Sequence, residues 1–191
     1  MYLPRLPPCP RPLPRPDPGV NVVRTYLEMR APSALRPAPL ADPRATLERV
    51  ARCPLPLYRA LYHDVGARYH WRDRLAWSDE ELAAHLASPS VEVWVLHWHG
   101  ERAGFYELRR HDDGSVEIAY FGLVERAFGR GLGKHLLTRA VERAWSLGAT
   151  RVWLHTCTLD SPVALPNYLA RGFTPYKEET YVVELTRDDG G

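Results

Sequence analysis

Cysteine is scarce in this sequence, and long apolar runs are missing from it. The three cysteines, Cys9, Cys53 and Cys157, are odd in number and widely spaced, which argues against a disulfide framework and against a zinc site. Such usage fits a reducing cytoplasm. No apolar run reaches the roughly 20 residues that a membrane-spanning helix needs, and the first residues lack the apolar segment of a secretory signal. We therefore expect a cytoplasmic protein that does not span a membrane.

An excess of charge of either sign is also lacking. Lysine and arginine number 25 against 23 aspartate and glutamate residues, so the net charge of +2 is too balanced to indicate a nucleic-acid partner. The histidines show no metal-ligand spacing, so no metal is expected. The apolar share of 45% is that of an ordinary globular protein, and 191 residues suffice for one domain with a proper core. The sequence leaves the oligomeric state open, and a homodimer is one alternative.

Proline, by contrast, is concentrated at the start of the chain. Residues 1–18 contain eight of the 18 prolines, and such a segment forms neither a helix nor a sheet ladder. We interpret residues 1–19 as a disordered or polyproline-type tail, with a docking role as the alternative. Residues 20–187 then form one folded domain, and residues 188–191 form a flexible C-terminus.

The apolar pattern predicts a mixed α/β order of elements, βααβββαβαβ, which is not a doubly wound repeat. A helical region is predicted over residues 46–69, broken by two prolines, and the capping box at residues 78–81 opens a second helix. A short last helix is expected to begin at Asp160-Ser161-Pro162. The predicted strands are 20–30, 91–98, 102–110, one that starts at Ser115, 151–159, and a final strand that closes the sheet.

The stretch from Ser115 to Leu147 carries the strongest functional signal. Its first part, SVEIAYFGLV, has the β-branched and aromatic residues of a buried strand, and its last part repeats apolar residues at helical spacing. Between them lie Gly129, Gly131 and Gly133. Because glycine lets backbone N–H groups approach an anion, and a helix start adds partial positive charge, this stretch predicts a phosphate or pyrophosphate site.

Two common phosphate-binding motifs do not fit this stretch. A P-loop would need glycine at Phe128 and serine or threonine at His135. A dinucleotide-binding G-x-G-x-x-G would need a third glycine that is missing.

The glycine loop instead resembles the coenzyme A loop of the GCN5-related N-acetyltransferases (GNAT superfamily), whose signature is Arg/Gln-x-x-Gly-x-Gly/Ala. Gly131-Leu132-Gly133 supplies the glycines, and Phe128 stands at the Arg/Gln position. The resemblance extends from about residue 20 to residue 186. It implies an α/β (α+β) fold with a mixed, mostly antiparallel sheet flanked by helices.

A second motif strengthens the resemblance. Residues 161–173 are similar to the family's Asn-x-x-Ala-x-x-x-Tyr-x-x-x-Gly-Phe, with Ser161 in place of the asparagine and Pro166 expected to kink the helix. The matching residues are Ala164, Tyr168, Gly172 and Phe173.

The resemblance implies direct transfer of an acetyl group from acetyl-CoA, as cosubstrate, to a primary amine of a small molecule or peptide. A base must take a proton from the amine, and a backbone N–H must stabilise the oxyanion that forms. Tyr168 is the candidate acid that protonates the leaving thiolate. Glu117, which lies fourteen residues before Gly131 like the strand glutamate of the histone-acetylating branch, is the candidate base. Aromatic packing and a solvent-facing carboxylate are the alternatives for these two.

The resemblance also places the coenzyme. Phe121, Gly122 and Leu123 should offer strand backbone groups to the pantetheine arm and the thioester carbonyl, because in this family the strand splays from its neighbour. The residues expected to bind the pyrophosphate are Gly129, Arg130, Gly131, Leu132, Gly133 and Lys134.

Other interpretations stay open. A non-catalytic acyl-CoA-binding module and transfer of a larger acyl group are alternatives to acetyl transfer. His155 and Cys157 share a strand face and would form a nucleophile pair, although strand packing explains them as well. Tyr69, Trp71 and Trp77 are either part of the acceptor pocket or packing residues. Four acidic residues near that pocket could attract a cationic acceptor or solvate helix ends: Asp64, Asp73, Asp79 and Glu80.

Overall fold

The computed structural model describes residues 19–183, so the predicted flexible C-terminus and all of the predicted tail except Gly19 lie outside the described residues. One seven-stranded sheet is flanked by four α-helices. The strands are β1 (Val20–Met29), β2 (Ala45–Val50), β3 (Val91–Trp98), β4 (Glu101–Arg110), β5 (Ser115–Leu123), β6 (Arg151–Cys157) and β7 (Thr174–Val183). The helices are α1 (Leu55–Gly66), α2 (Asp79–Ala87), α3 (Leu132–Ser146) and α4 (Ala164–Ala170).

The strand order is β2-β3-β4-β5-β6-β1-β7. Every neighbouring pair is antiparallel except β5 and β6, which run parallel. The predicted mixed and mostly antiparallel sheet is therefore confirmed. The first strand does not lie at an edge: β1 is inserted between β6 and β7, so that Arg24 lies opposite Cys157 on one side and Glu179 on the other.

The helices cover both faces of the sheet. A Cβ placed on Gly122 would meet Val65 of α1, whereas Leu123 reaches toward Gly133 of α3. Successive strand residues point to opposite faces, so α1 and α3 lie on opposite sides of β5. The predicted helical period of α3 is confirmed by its fully buried residues Leu132, Leu136, Leu137, Ala140, Val141 and Ala144. No helix within residues 19–183 is long and apolar enough to cross a membrane.

The helix predicted over residues 46–69 is wrong in its first part. Residues 45–50 form β2, which pairs along its whole length with β3, and α1 begins only at Leu55. Pro54 is the N-cap of α1 and Pro56 lies in its first turn, where a missing N–H costs nothing because that group has no helical acceptor. The two prolines therefore begin this helix and do not break it.

The predicted start of the last helix is also wrong. Helix α4 begins at Ala164, and the Asp160 carboxylate turns back to accept hydrogen bonds from the Thr156 hydroxyl (2.7 Å) and the Cys157 N–H (2.9 Å). Pro166 is the third residue of α4 and so lies in its first turn. The predicted kink is not required, because an N–H at this position would have no helical partner.

Candidate active site

Strands β5 and β6 separate after a short parallel start. Their pairing ends at Glu117 and Trp153. On the other side, the register of β5 with β4 shifts between Glu107 and Leu108, which is the signature of a bulge. From Ile118 onward, the edge of β5 that faces β6 therefore has no strand partner, and the splay expected from the resemblance is present.

A cavity of about 250 Å³ lies at this splay. Strand β5 contributes residues 118–121 to its wall, β6 contributes Leu154, His155 and Cys157, and α4 contributes Tyr168. The segment 69–73 covers another side. At the far side lie Arg24 of β1 and Tyr181 of β7. Six separate parts of the chain thus meet around one space.

Tyr168 is held rigidly in the cavity wall. Its ring centroid lies 6.1 Å from that of Phe121 and 6.3 Å from that of Phe173, and the residue is only 6% exposed. Burial raises the pKa of the Tyr168 hydroxyl above its usual range, so the group keeps its proton at neutral pH. The structure thus brings the predicted acid against Phe121, which is predicted to contact the coenzyme.

Glu117 is placed differently. It lies on β5 at the last pair with β6, its carboxylate oxygen lies 3.0 Å from Nε2 of His111, and it is not among the residues that line the cavity. Its role as the base stays a prediction.

His155 also lines the cavity, whereas the sequence singles it out only as a partner of Cys157. Burial, with a contribution from the Arg24 charge, lowers the pKa of the imidazole, so the ring is neutral at neutral pH. Burial and the charge of Asp160 raise the pKa of the Cys157 thiol. A protonated thiol is a poor nucleophile, which argues against the Cys157–His155 pair.

The glycine loop forms an open helix start. Gly129 and Gly131 have φ values of +73° and +76°, which favour glycine. Gly131 is the N-cap of α3, no side chain caps this end, and the first turn carries no acidic residue. The N–H groups of the first three residues of α3 thus have no helical acceptor and face outward with partial positive charge. This arrangement suits a pyrophosphate.

The side chains of the loop divide into two sets. Leu132 is fully buried and anchors the loop, so that only its backbone is available to a ligand. Arg130 and Lys134 are exposed, and the Arg130 guanidinium lies 4.5 Å from the ring centroid of Trp98. Gly133 abuts Leu123 at the end of β5. The unpaired edge of β5 therefore leads from the loop to the cavity.

The expected acceptor side is partly present. Tyr69 and Trp71 line the cavity, whereas Trp77 does not. The Arg74 guanidinium lies over Trp77 instead, 3.9 Å from the centroid of the indole ring. Trp77 is therefore a packing residue. Of the four acidic residues proposed to attract a cation, only Asp73 lines the cavity. Asp79, for example, pairs with Arg59 at 2.6 Å.

A buried polar cluster supports the aromatic wall. Glu107 is fully buried and accepts hydrogen bonds from the Tyr58 hydroxyl, from His85 Nε2 (2.8 Å) and from Arg74 (3.2 Å). Burial raises the pKa of Glu107, but the hydrogen bond from His85 and the charge of Arg74 outweigh it and lower the pKa overall. Arg74 also lies 5.1 Å from the ring centroid of the cavity residue Tyr120. The cluster therefore fixes one wall of the cavity.

The chain is similar to several known proteins. The mycothiol acetyltransferase of Corynebacterium efficiens is 34% identical to the chain over 110 residues, which are 56% of this chain and 37% of that protein. The chain thus matches little more than a third of the length of this relative. A GCN5-related N-acetyltransferase from Kribbella flavida superposes with a TM-score of 0.58 at 20% identity, covering 80% of this chain and 54% of its own.

An aminoglycoside acetyltransferase from an uncultured soil metagenomic sample superposes with a TM-score of 0.57 at 19% identity, covering 68% of this chain and 88% of its own. At these identities the two solved structures show the fold alone. A model of the acetyltransferase (GNAT) family matches residues 58–173, which is more than half of the chain and includes the loop, the splay and Tyr168. The chain belongs to the acetyltransferase (GNAT) family of enzymes.

Proposed function

We propose that this acetyltransferase moves the acetyl group of acetyl-CoA to a primary amine of a small molecule or peptide, by direct transfer in a ternary complex. The observation that carries the proposal is the unpaired edge of β5, which connects an open helix start at Gly131 with a cavity lined by Tyr168. Direct transfer is supported by the raised pKa of Cys157, because a ping-pong route needs an activated nucleophile.

The coenzyme is held by backbone groups in this proposal. The amides from Gly129 to Lys134 bind the pyrophosphate, helped by the dipole of the 15-residue helix α3. The free backbone groups of Phe121 and Leu123 hold the pantetheine arm and polarise the thioester carbonyl. Acetyl-CoA supplies the acetyl group in the activated form of a thioester.

Two side chains donate or accept protons in this proposal. The Tyr168 hydroxyl, which keeps its proton at neutral pH, donates a hydrogen bond to the sulfur that leaves. The proton of the amine passes to a base, for which there are two candidates. Glu117 remains the prediction from sequence, and His155 is the second candidate because it lines the cavity with a neutral ring.

Release of free thiol from acetyl-CoA in the presence of a panel of amines tests the proposal. The panel should contain polyamines, aminoglycosides, amino acids and peptides, and mass spectrometry should find the acetylated amine. Calorimetry with acetyl-CoA alone provides the matched measurement. Tight binding with no thiol release for any amine would favour the alternative, a non-catalytic acyl-CoA-binding module.

A further inference from the structure

Arg24 is a sheltered cation at the wall of the cavity. Its guanidinium donates a hydrogen bond to the Tyr181 hydroxyl at 3.2 Å, lies 5.0 Å from the centroid of that ring, and also interacts with the Tyr26 side chain. Its Nε is shielded from solvent and has no hydrogen-bond partner. Within residues 19–183, Arg24 forms no ion pair with a carboxylate. Arg24 thus lacks a direct carboxylate partner, although its charge contributes to the lowered pKa of Glu179.

The nearby carboxylates are engaged by other groups. Glu179, directly across from Arg24 on β7, accepts a hydrogen bond from the Tyr26 hydroxyl at 2.8 Å and pairs with Lys177. Asp160, which also lines the cavity, accepts hydrogen bonds from Thr156 and from the Cys157 backbone. The nearby carboxylates therefore make their direct contacts with groups other than Arg24.

Two other partly buried arginines in the described part of the chain have carboxylate partners, whereas Arg171, like Arg24, has a shielded Nε without a hydrogen-bond partner. Arg74 lies 3.2 Å from Glu107, and Arg143 lies 2.7 Å from Glu92. Arg24 is partly exposed, so solvent offsets part of the cost of a cation that has no direct anionic partner. At the wall of a cavity, such a group is suited to meet the anion of a ligand.

We propose that Arg24 binds a carboxylate of the acceptor, so that the acceptor is an amino carboxylate, either a free amino acid or a short peptide. The inference rests on the proposed function. A guanidinium binds a carboxylate through two parallel hydrogen bonds, and the Tyr181 hydroxyl retains a proton to donate to it. A doubly charged phosphate suits the site less, because Asp73 and Asp160 line the same cavity.

Matched acceptors test this proposal. Thiol release should be measured with L-amino acids and their carboxamides, and with dipeptides whose C-terminus is free or amidated, which separates the two sources of carboxylate. We expect kcat/KM to be at least about tenfold higher for the carboxylates, as a charged hydrogen bond gives. In Arg24→Met this preference should disappear, mainly through KM, and Arg24→Lys should keep part of it.

The control is Arg49→Met, which removes a cation from the opposite edge strand β2 and should keep the preference. Equal kcat/KM for carboxylates and amides in the wild type, or an equal loss for both in Arg24→Met, would overturn the proposal.

A second measurement does not need turnover. N-acetylglycine and its amide are titrated into the enzyme with coenzyme A present, while the ¹⁵N resonance of Arg24 Nε is followed. A shift with N-acetylglycine alone supports the carboxylate site even if no amine is acetylated, in which case only the proposed function fails. Equal responses to the two compounds would contradict the proposed carboxylate site but not the proposed function.

Discussion

Three side chains around the cavity are kept neutral by burial. Burial raises the pKa of Tyr168 and of Cys157 and lowers that of His155. At neutral pH, Tyr168 and Cys157 therefore keep their protons. The imidazole of His155 carries a single proton and no charge. A hydrogen-bond donor and a proton acceptor thus face the same space, and neither carries a charge of its own.

The role of Tyr168 is tested by Tyr168→Phe, which removes one hydroxyl and keeps the packed ring. We expect turnover to fall roughly ten- to a thousandfold, in the range of a proton-transfer contribution, with unchanged affinity for acetyl-CoA. Thiol release and calorimetry measure the two quantities. Tyr176→Phe, on the exposed part of β7, is the control. Full activity in Tyr168→Phe would show that Tyr168 is not the acid.

The base is identified by pH–rate profiles of His155→Gln and Glu117→Gln with one good acceptor. If His155 is the base, the wild-type rate should fall on acidification through its lowered pKa, below the ordinary value of about 6.5. That fall should be absent in His155→Gln. If Glu117 is the base, the loss in Glu117→Gln should shrink as pH rises, because more of the amine is already neutral. Two unaltered profiles would exclude both residues.

Residues in short local motifs could be predicted from the sequence, and those brought together by the sheet could not. Tyr168 and Gly131 belong to patterns within one loop or helix, where the spacing of residues in the sequence determines their relative positions in space. Arg24 and Tyr181 are 157 residues apart in the chain, and nothing in the spacing says that β1 lies beside β7. His155 was visible as a strand residue, but its burial depends on the splay.

At the scale of elements, the open start of α3 and the free edge of β5 are two consequences of local chemistry. The glycines remove the side chains that would cap or cover the first turn, and β5 leaves β6 close to a bulge in its pairing with β4. The glycine pattern in the sequence predicts the open start of α3. Proline was misread as a helix breaker near Pro54 because its effect depends on its position: in a first turn it is compatible with the helix.

Gly131→Glu should abolish detectable binding of acetyl-CoA, since the new side chain adds like charge where the phosphates are expected and strains a backbone with φ of +76°. Gly100→Glu, in the turn between β3 and β4, is the matched control. It has a φ of +79° and open space around its Cβ position, so it introduces the same strain away from the loop. Calorimetry on both folded variants measures the affinity. Unchanged affinity in Gly131→Glu would refute the assignment of the loop.

At the scale of the whole molecule, β1 joins the two ends of the described chain. It pairs with β6 and β7 at once, and Val20 lies opposite Val183. The edge strand β7 makes its sheet contacts with β1 alone. The integrity of the acceptor side of the cavity, with Arg24 and Tyr181, thus depends on this one strand.

Two truncations separate the tail from the strand. Deletion of residues 1–18 should leave the melting temperature and the affinity for acetyl-CoA nearly unchanged, because proline-rich sequence offers little to pair or pack. Deletion of residues 1–30 should abolish cooperative melting, because β6 and β7 lose their common partner. Circular dichroism on heating measures both. A loss of several degrees in the shorter deletion would show that the tail docks on the domain.

The position of β1 also determines when this part of the sheet can form during synthesis. The ribosome synthesises this strand well before its neighbours in the sheet: Tyr26 and Glu179, joined by a hydrogen bond, are 153 residues apart. Until then the apolar residues Val22, Leu27 and Met29 have no sheet to cover them, and contacts of such long range slow folding. The coenzyme loop can form while the chain is still growing. The wall that carries Arg24 is completed only when β7 has left the ribosome.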